Sequence, residues 1–406
     1  MLDEDDLPET LPPGSKLLHI GMPKTGTSAV QRAMWLARED LAMLGIRQVA
    51  EHPHERDVGL TAVGSGREFY RRRPRRWNRL ATDFRASQAR LTTWSSEALS
   101  LASPERVEQL HRELGPAYIV TTLRPFASQL ASRWQQGVRR GARLPLDDWL
   151  RHRLTRPPRP DWTEPHRRGD VLHRNDPRRI VEHWGRVFGE DRLVFVIQDP
   201  RDRSLLLRRF EALLGAPGAL PALEQTNASL PYPAAEALRH YSIAHHAAGR
   251  TRRRWMTTIG DPRRLHTRAV GQQAPTFPVR VPRWAAQRAN EHAAAWADGL
   301  RSSDATVVGD LDHLVVDTAS HPVSDERPTT IDTASAGLLI QACVDASVSR
   351  DLLDPADGSM GRFAAQATTA ATPDLTTCSD RLLARELGRR LIGRLTRHRD
   401  RDEDED

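Results

Sequence analysis

One lysine lies in a segment built like a phosphate-binding loop. The chain has 406 residues and 60 lysines and arginines, of which only Lys16 and Lys24 are lysines. Lys24 belongs to the segment Gly21-Met22-Pro23-Lys24-Thr25-Gly26-Thr27-Ser28, between an apolar run and a helical pattern. A strand, a loop and a helix N-terminus in this order bind phosphates through backbone N–H groups and the helix dipole. Because an ammonium is a compact point charge, unlike a guanidinium, we predict that Lys24 is the cation of this loop.

The position of Lys24 separates this loop from that of ordinary kinases and GTPases. The Walker pattern places its lysine directly after a glycine, whereas Lys24 comes two residues before Gly26. Pro-Lys-Thr-Gly-Thr-Ser resembles the 5′-phosphosulfate loop of the sulfotransferase family, whose sulfonate donor is 3′-phosphoadenosine 5′-phosphosulfate (PAPS). The resemblance implies that Lys24 neutralises the bridging oxygen as the sulfonate leaves. It also implies that the 5′-phosphate is held by Pro23, Thr25, Gly26, Thr27 and Ser28.

A second phosphate anchor follows about a hundred residues later. Sulfotransferases bind the 3′-phosphate of the nucleotide with an arginine at a strand end and a serine eight residues on, and Arg124 and Ser132 keep this spacing. The serine would lie about two helical turns beyond the arginine, so both could meet one phosphate, which suits the guanidinium fork. Pro125 directly after the arginine departs from the family pattern and leaves Ser128 as an alternative to Ser132.

Sulfonyl transfer also needs a base for the acceptor hydroxyl or amine, and the family uses a histidine or a glutamate. Glu97 is the first choice, because a carboxylate after a parallel strand faces the ligand crevice; capping a helix is its equally weighted structural role. The alternative is His52 or His54, whose ordinary pKa suits the task, although a solvated loop would explain His54 as well. Two histidines are too few for a metal site, and we predict none.

The elements that position these residues alternate in type. Strands are predicted at about 16–20, 46–49, 91–95, 117–123 and 192–197, and helices at about 27–43, 104–114, 126–139, 176–188 and 284–301. Ala305–Leu314 and a helix near 331–349 follow. This alternation predicts an α/β domain with a parallel sheet. The resemblance, which extends over about residues 16–242, implies a P-loop-like three-layer fold, to which a helical C-terminal extension is added.

Composition shifts along the chain suggest three parts. Residues 1–15 are predicted to be a disordered acidic leader, residues 16–320 the sulfotransferase-like domain, and residues 321–406 a helical extension with a linker and a charged tail. Exposed insertions are expected within the domain near 50–90, 140–170 and 243–283, where proline, arginine and histidine are frequent.

The basic charge of the chain limits the classes of partner. The net charge of +7 and a pI near 10.1 indicate anionic partners, although the arginine bias is also what a GC-rich genome produces. The arginine run at 71–76 suits a solvated face or an anionic acceptor; no nucleic-acid-binding motif accompanies it, and no nucleic-acid partner is predicted. The basic helical pattern at 379–398 could pack on its own domain, pair with a second copy in a homodimer, or lie on a membrane surface.

The two cysteines, Cys343 and Cys378, have no metal-type spacing, so neither a disulfide framework nor a zinc site is predicted. The acidic N-terminus does not resemble a signal peptide, and no apolar run reaches membrane-spanning length, which predicts a cytoplasmic protein.

These patterns and the resemblance predict a bacterial-type PAPS-dependent sulfotransferase that modifies a carbohydrate or small-molecule acceptor, and the basic charge suits an anionic acceptor. One alternative is a P-loop nucleotide kinase or NTPase, which needs an acidic residue for magnesium after a strand, and Asp199 is the candidate for it. The other alternative is a non-catalytic, arginine-rich protein that binds polyanions.

Overall fold

The computed structural model describes residues 7–64, 72–155, 171–202, 204–223, 229–257 and 278–323, together with residues 259, 330, 336–337, 339–340 and 343. All of them fall within Met1–Ser347, the first of the two units into which the chain divides. The helical pattern predicted at 379–398 and most of the helix predicted near 331–349 lie outside the described residues.

Six strands form a parallel sheet. They are β1 Ser15–His19, β2 Ile46–Gln48, β3 Leu91–Ser95, β4 Tyr118–Leu123, β5 Leu193–Ile197 and β6 Thr306–Val308. Their spatial order is β2-β3-β1-β4-β5-β6, and each neighbouring pair is parallel. The predicted α/β fold with a central parallel sheet is therefore confirmed.

The strand order creates a crevice at the carboxyl ends of β1 and β4. These two strands are neighbours, but the chain leaves β1 toward β2 and leaves β4 toward β5, on opposite sides. Ligands of open α/β sheets bind where the order reverses in this way. His19, the last residue of β1, lies in register with Ser95 at the end of β3 and with Val120 in β4. The loops that follow β1, β3 and β4 consequently open onto one edge of the sheet.

Helices connect the strands. Their bounds are α1 Thr27–Leu36, α2 Arg38–Met43, α3 Arg56–Ala62, α4 Pro74–Ala86, α5 Pro104–Leu114, α6 Phe126–Arg139, α7 Leu146–Leu154, α8 Val171–Asn175, α9 Arg178–Ile180, α10 Arg186–Phe188, α11 Leu205–Leu214, α12 Tyr232–Ala247, α13 Arg252–Thr257 and α14 Arg283–Arg301. Among the described residues, no helix is long and apolar enough to cross a membrane.

Alternating strand residues build a core on each face of the sheet. Leu17 of β1 and Val120 of β4 pack with α1, α2 and α11. Their sequence neighbours, Leu18 and Ile119, pack with α4 and α5 on the other face. This period of two is what a strand covered on both sides requires. A further core, centred on Trp134 and Trp255, joins α6, α7, α12 and α14 beside the sheet.

Several elements differ from their predicted form. The helix predicted at 27–43 is two helices, because the first ends at Leu36 with Ala37 as its cap. The helix predicted at 176–188 contains a π-helical turn at Val181–Gly185. Within the predicted leader, Leu11 is buried and donates its N–H to Leu213 O at 3.1 Å, so this part of the leader is packed on α11.

The segment near 50–90, expected to be an exposed insertion, supplies α3 and α4 to the fold. Trp77, Leu80 and Phe84 form the buried stripe of α4 at helical spacing. The three residues belong to the core on the α4 and α5 face of the sheet.

Phe84→Ala should lower the free energy of unfolding by about 3–5 kcal/mol, because it leaves a cavity where Phe84 is fully buried under the sheet. Arg75→Ala, on the exposed side of the same helix, should change it by less than about 0.5 kcal/mol. Urea unfolding of both variants checks this, and equal midpoints would contradict the packing of α4.

Candidate active site

The loop between β1 and α1 is curled by three left-handed residues. Gly21, Lys24 and Gly26 have φ angles of 47°, 73° and 85°. Lys24 is the only non-glycine residue with a positive φ in the described part of the chain. Left-handed residues alternating with ordinary ones turn successive backbone N–H groups into one concavity, which binds anions. Strain of this kind costs about 1–3 kcal/mol and is found where a site requires it.

Thr25 fastens the loop to the sheet. Its buried Oγ1 donates to Met22 O at 2.6 Å and therefore accepts from Thr122 Oγ1, 2.7 Å away near the end of β4. Gln198, the residue after β5, donates its Nε2 to Thr25 O. The hydroxyl of Thr25 is thus a structural group, and what this loop residue can offer an anion is its backbone N–H.

The start of α1 is open to an anion. Gly26 is its N-cap, no side chain caps it, and its first turn contains no acidic residue. Thr27 is 2% exposed, and its Oγ1 has no hydrogen-bond partner among the described residues. Ser28 is exposed on the same turn. A helix start with unsatisfied N–H groups and two hydroxyls is suited to a phosphate.

The Lys24 ammonium lies among other charges. Burial lowers its pKa to about 8, the Glu97 carboxylate opposes that shift, and Arg139, Arg140 and Arg124 add to it. The lowered pKa means that the charged ammonium lacks full compensation in the unliganded chain. A bound anion would supply that compensation and raise the pKa again.

Arg124 contacts the start of α6, the helix that carries both candidate serines. The Arg124 guanidinium donates through Nη2 to Ser128 O at 2.6 Å, and Gln129 Nε2 donates to Arg124 O at 3.1 Å. Ser128 is exposed and Ser132 half-buried, one helical turn apart. The structure thus brings Arg124 to the Ser128 end of this helix face, and Ser132 lies one turn deeper.

Arg133, next to Ser132, is a further cation that the sequence patterns did not single out. It donates through Nη2 to Asn175 Oδ1 at 2.8 Å. Burial lowers its pKa to about 10; the charges of Arg174, Arg153 and Arg124 act in the same direction, and Glu97 opposes them. Arg133 therefore belongs to the same electrostatic neighbourhood as Lys24.

The Glu97 carboxylate interacts with several of these cations. It follows β3, is half-buried, and lies 3.8 Å from the Arg56 guanidinium. Its charge acts on Lys24, on Arg133 and on His54. The carboxylate can therefore accept a proton or stabilise a neighbouring positive charge.

The two candidate histidines have different surroundings. His54 lies 3.0 Å from Gln31 Oε1 through its Nδ1. Burial lowers the pKa of His54, Glu97 opposes the shift and Arg32 adds to it. Both histidines are exposed, and the charge of His52 acts on Glu55. The structure brings His54 into electrostatic contact with Glu97.

Asp199, the acidic residue that the kinase alternative requires, is already paired. Its carboxylate accepts from the backbone N–H of Arg201 at 2.7 Å and from Arg201 Nη2 at 3.0 Å, and these bonds lower its pKa to about 2. No group of His, Cys, Asp and Glu residues that could hold a metal ion occurs in the part of the chain that the structure describes.

Gly26→Ala should destabilise the loop, because a Cβ would lie 2.5 Å from Gln198 Nε2 and 2.7 Å from Leu206 Cδ2 in addition to the strain at a φ of 85°. Gly218→Ala is the matched control, since its φ is 73° and its Cβ would meet no atom within 4 Å. We expect Gly26→Ala to cost about 1–3 kcal/mol more than the control in thermal unfolding. Equal losses would show that the loop is not packed as described.

Comparison with known proteins gives distant structural similarity alone. No family model matches the chain, and no curated protein matches it significantly. Among solved structures, the chain is similar to a sulfotransferase from Alicyclobacillus acidocaldarius, with a TM-score of 0.36 and 16% sequence identity. The similarity covers 61% of this chain and 99% of that chain. A similarity this weak supports no conclusion about substrate or activity.

Proposed function

We propose that this chain is a PAPS-dependent sulfotransferase that transfers a sulfonate group to a hydroxyl or amine of a carbohydrate or small-molecule acceptor. Two phosphate-binding elements at one crevice support this function. The Lys24 loop follows β1, Arg124 directly follows the neighbouring strand β4, and the two cations are close enough for Arg124 to lower the pKa of Lys24. A nucleotide that carries both a 5′-phosphosulfate and a 3′-phosphate needs two such anchors.

The residues have distinct roles in the proposed reaction. The N–H groups of the loop and of the start of α1 hold the 5′-phosphate, with the hydroxyls of Thr27 and Ser28 nearby. Arg124 and a serine of α6, Ser132 or Ser128, hold the 3′-phosphate. Transfer is in line: the acceptor atom attacks sulfur, and Lys24 stabilises the charge that develops on the departing phosphate oxygen. Glu97 and His54 are the groups available to take the acceptor proton.

The kinase and polyanion-binding alternatives differ in the nucleotide that they require. We expect 3′-phosphoadenosine 5′-phosphate to bind more tightly than ATP or heparin in a calorimetric titration. Arg124→Ala should weaken that binding by about 10- to 100-fold, because one charged hydrogen-bonding group to a phosphate contributes about 1.5–3 kcal/mol. Arg186→Ala, at an exposed arginine paired with Glu108, is the control and should bind like the wild type. Preference for ATP, or binding of heparin that survives Lys24→Ala, would favour the alternatives.

The pH dependence of binding tests Lys24 directly. Burial lowers the pKa of Lys24 to about 8 in the unliganded chain, so its positive charge is present below that pH and is lost above it. The affinity for 3′-phosphoadenosine 5′-phosphate should therefore fall as the pH rises through about 8. In Lys24→Arg the affinity should stay flat there, because a guanidinium keeps its charge.

Turnover of PAPS by Lys24→Arg should nevertheless fall on the order of 100-fold, since the planar guanidinium does not reproduce the contact with the leaving oxygen. Titrations from pH 6 to pH 10 and PAPS consumption measure the two effects. An active Lys24→Arg variant would contradict the role of this lysine.

A further inference from the structure

A buried glutamine connects the phosphate loop helix to His54. Gln31, in the second turn of α1, is 9% exposed. Its Nε2 donates to Ser95 O at 3.0 Å, and its Oε1 lies 3.0 Å from His54 Nδ1. A backbone carbonyl can only accept, so the amide nitrogen must face Ser95 and the amide oxygen must face His54.

This arrangement determines the protonation of the imidazole. Gln31 Oε1 is an acceptor, so His54 Nδ1 must carry the proton that joins them. In the neutral ring the lone pair then lies on Nε2. Without such a partner, either nitrogen could carry the proton.

Both sides of this contact are held rigidly. Ser95 is the last residue of β3, and its Oγ lies 2.9 Å from the buried His19 Nδ1. On the other side, the residue after His54 is the buried Glu55, which accepts from the N–H of Glu51 at 3.2 Å and from Arg76 Nη2 at 2.7 Å. The segment that carries His54 is therefore fixed to α4 as well as to α1.

We propose that Gln31 is a positioning residue that holds His54 with its proton on Nδ1, so that Nε2 of His54 accepts the proton of the acceptor during sulfonyl transfer. This inference rests on the proposed function. The charged groups that act on His54 are Glu97, which favours its protonation, and Arg32, which opposes it. Partial burial, the largest influence, lowers the pKa of His54 from its ordinary value, and this favours the neutral ring that can accept a proton.

The atoms of the step balance without a further reactant. The acceptor oxygen forms a bond to sulfur, and the bond between sulfur and the bridging oxygen breaks. The electron pair of that bond remains on the 5′-phosphate, where Lys24 lies. The acceptor proton moves to His54 Nε2, and the imidazolium returns it to solvent after the products leave.

Two variants of Gln31 separate positioning from packing. Gln31→Met keeps the length of the side chain but removes the acceptor. Gln31→Glu, like Gln31→Met, loses the donor to Ser95 O, but it keeps an acceptor for Nδ1–H, and its negative charge should raise the pKa of His54. The matched control is Gln135→Met. Gln135 is another buried glutamine, on α6, and its Oε1 accepts from Leu230 N at 3.0 Å.

The decisive measurement is the tautomer of His54 in the full chain, read from nitrogen-15 NMR of labelled histidine and assigned with His54→Asn. We expect the Nδ1–H form in the wild type, in Gln31→Glu and in Gln135→Met. We expect a mixture, or the Nε2–H form, in Gln31→Met. The Nε2–H form in the wild type, or an unchanged tautomer in Gln31→Met, would overturn the proposal.

PAPS consumption on the same samples gives the functional readout. Gln31→Met should lower kcat on the order of tenfold with little change in KM, because a misprotonated base still permits binding. Gln31→Glu should move the acidic limb of the pH–rate profile to higher pH, since the base must be neutral. Full activity in Gln31→Met would overturn the positioning role. A wild type that neither binds nor consumes PAPS would overturn the proposed function instead, while the tautomer would still be read independently.

Discussion

The hydroxyls of Thr25 and Thr122 meet in the buried space between β1 and β4, and the loop that carries Lys24 depends on this hydrogen bond. Thr25 has a single hydroxyl proton, which it donates to Met22 O, so Thr122 must donate to Thr25. The bond sets the separation between the end of β4, where Arg124 begins the second anchor, and the loop. It also offsets the cost of holding Lys24 in a left-handed conformation. The hydrogen bond thus ties the Lys24 loop to the strand that precedes Arg124, the two elements proposed to bind phosphates.

The sequence was sufficient for the features that depend on local pattern. β3 has the predicted bounds, and α5 and α6 match their predicted ranges, because their apolar periods and flanking residues are short-range signals. The same patterns predicted the parallel sheet and the loop after β1. They predicted less where packing decides the outcome. The helix break at Ala37 and the π-helical turn at 181–185 contain no proline, so no local signal of that kind predicts them.

The supporting residues of the site were harder to anticipate. Three of them act through partners that are distant in sequence. Thr122 and Gln198 both bond to Thr25, which is 97 and 173 positions away, respectively. Gln31 bonds to Ser95, 64 positions away. Their positions nevertheless carry a signal. Thr122 and Gln198 are polar residues at the carboxyl ends of buried strands, and Gln31 follows Val30 on the apolar side of α1. A polar side chain at such a place must find a buried partner. The partner could be named only once the strand order was known.

The charges around Glu97 favour a division of labour between it and His54. Glu97 is the carboxylate whose charge acts on Lys24, on Arg133 and on His54. If Glu97 took the acceptor proton, its negative charge would vanish while those cations stayed buried, and their mutual repulsion would increase. If His54 takes the proton, the new positive charge forms beside a carboxylate that is already attracting it. These charges therefore favour His54 over Glu97 as the proposed acceptor of the proton.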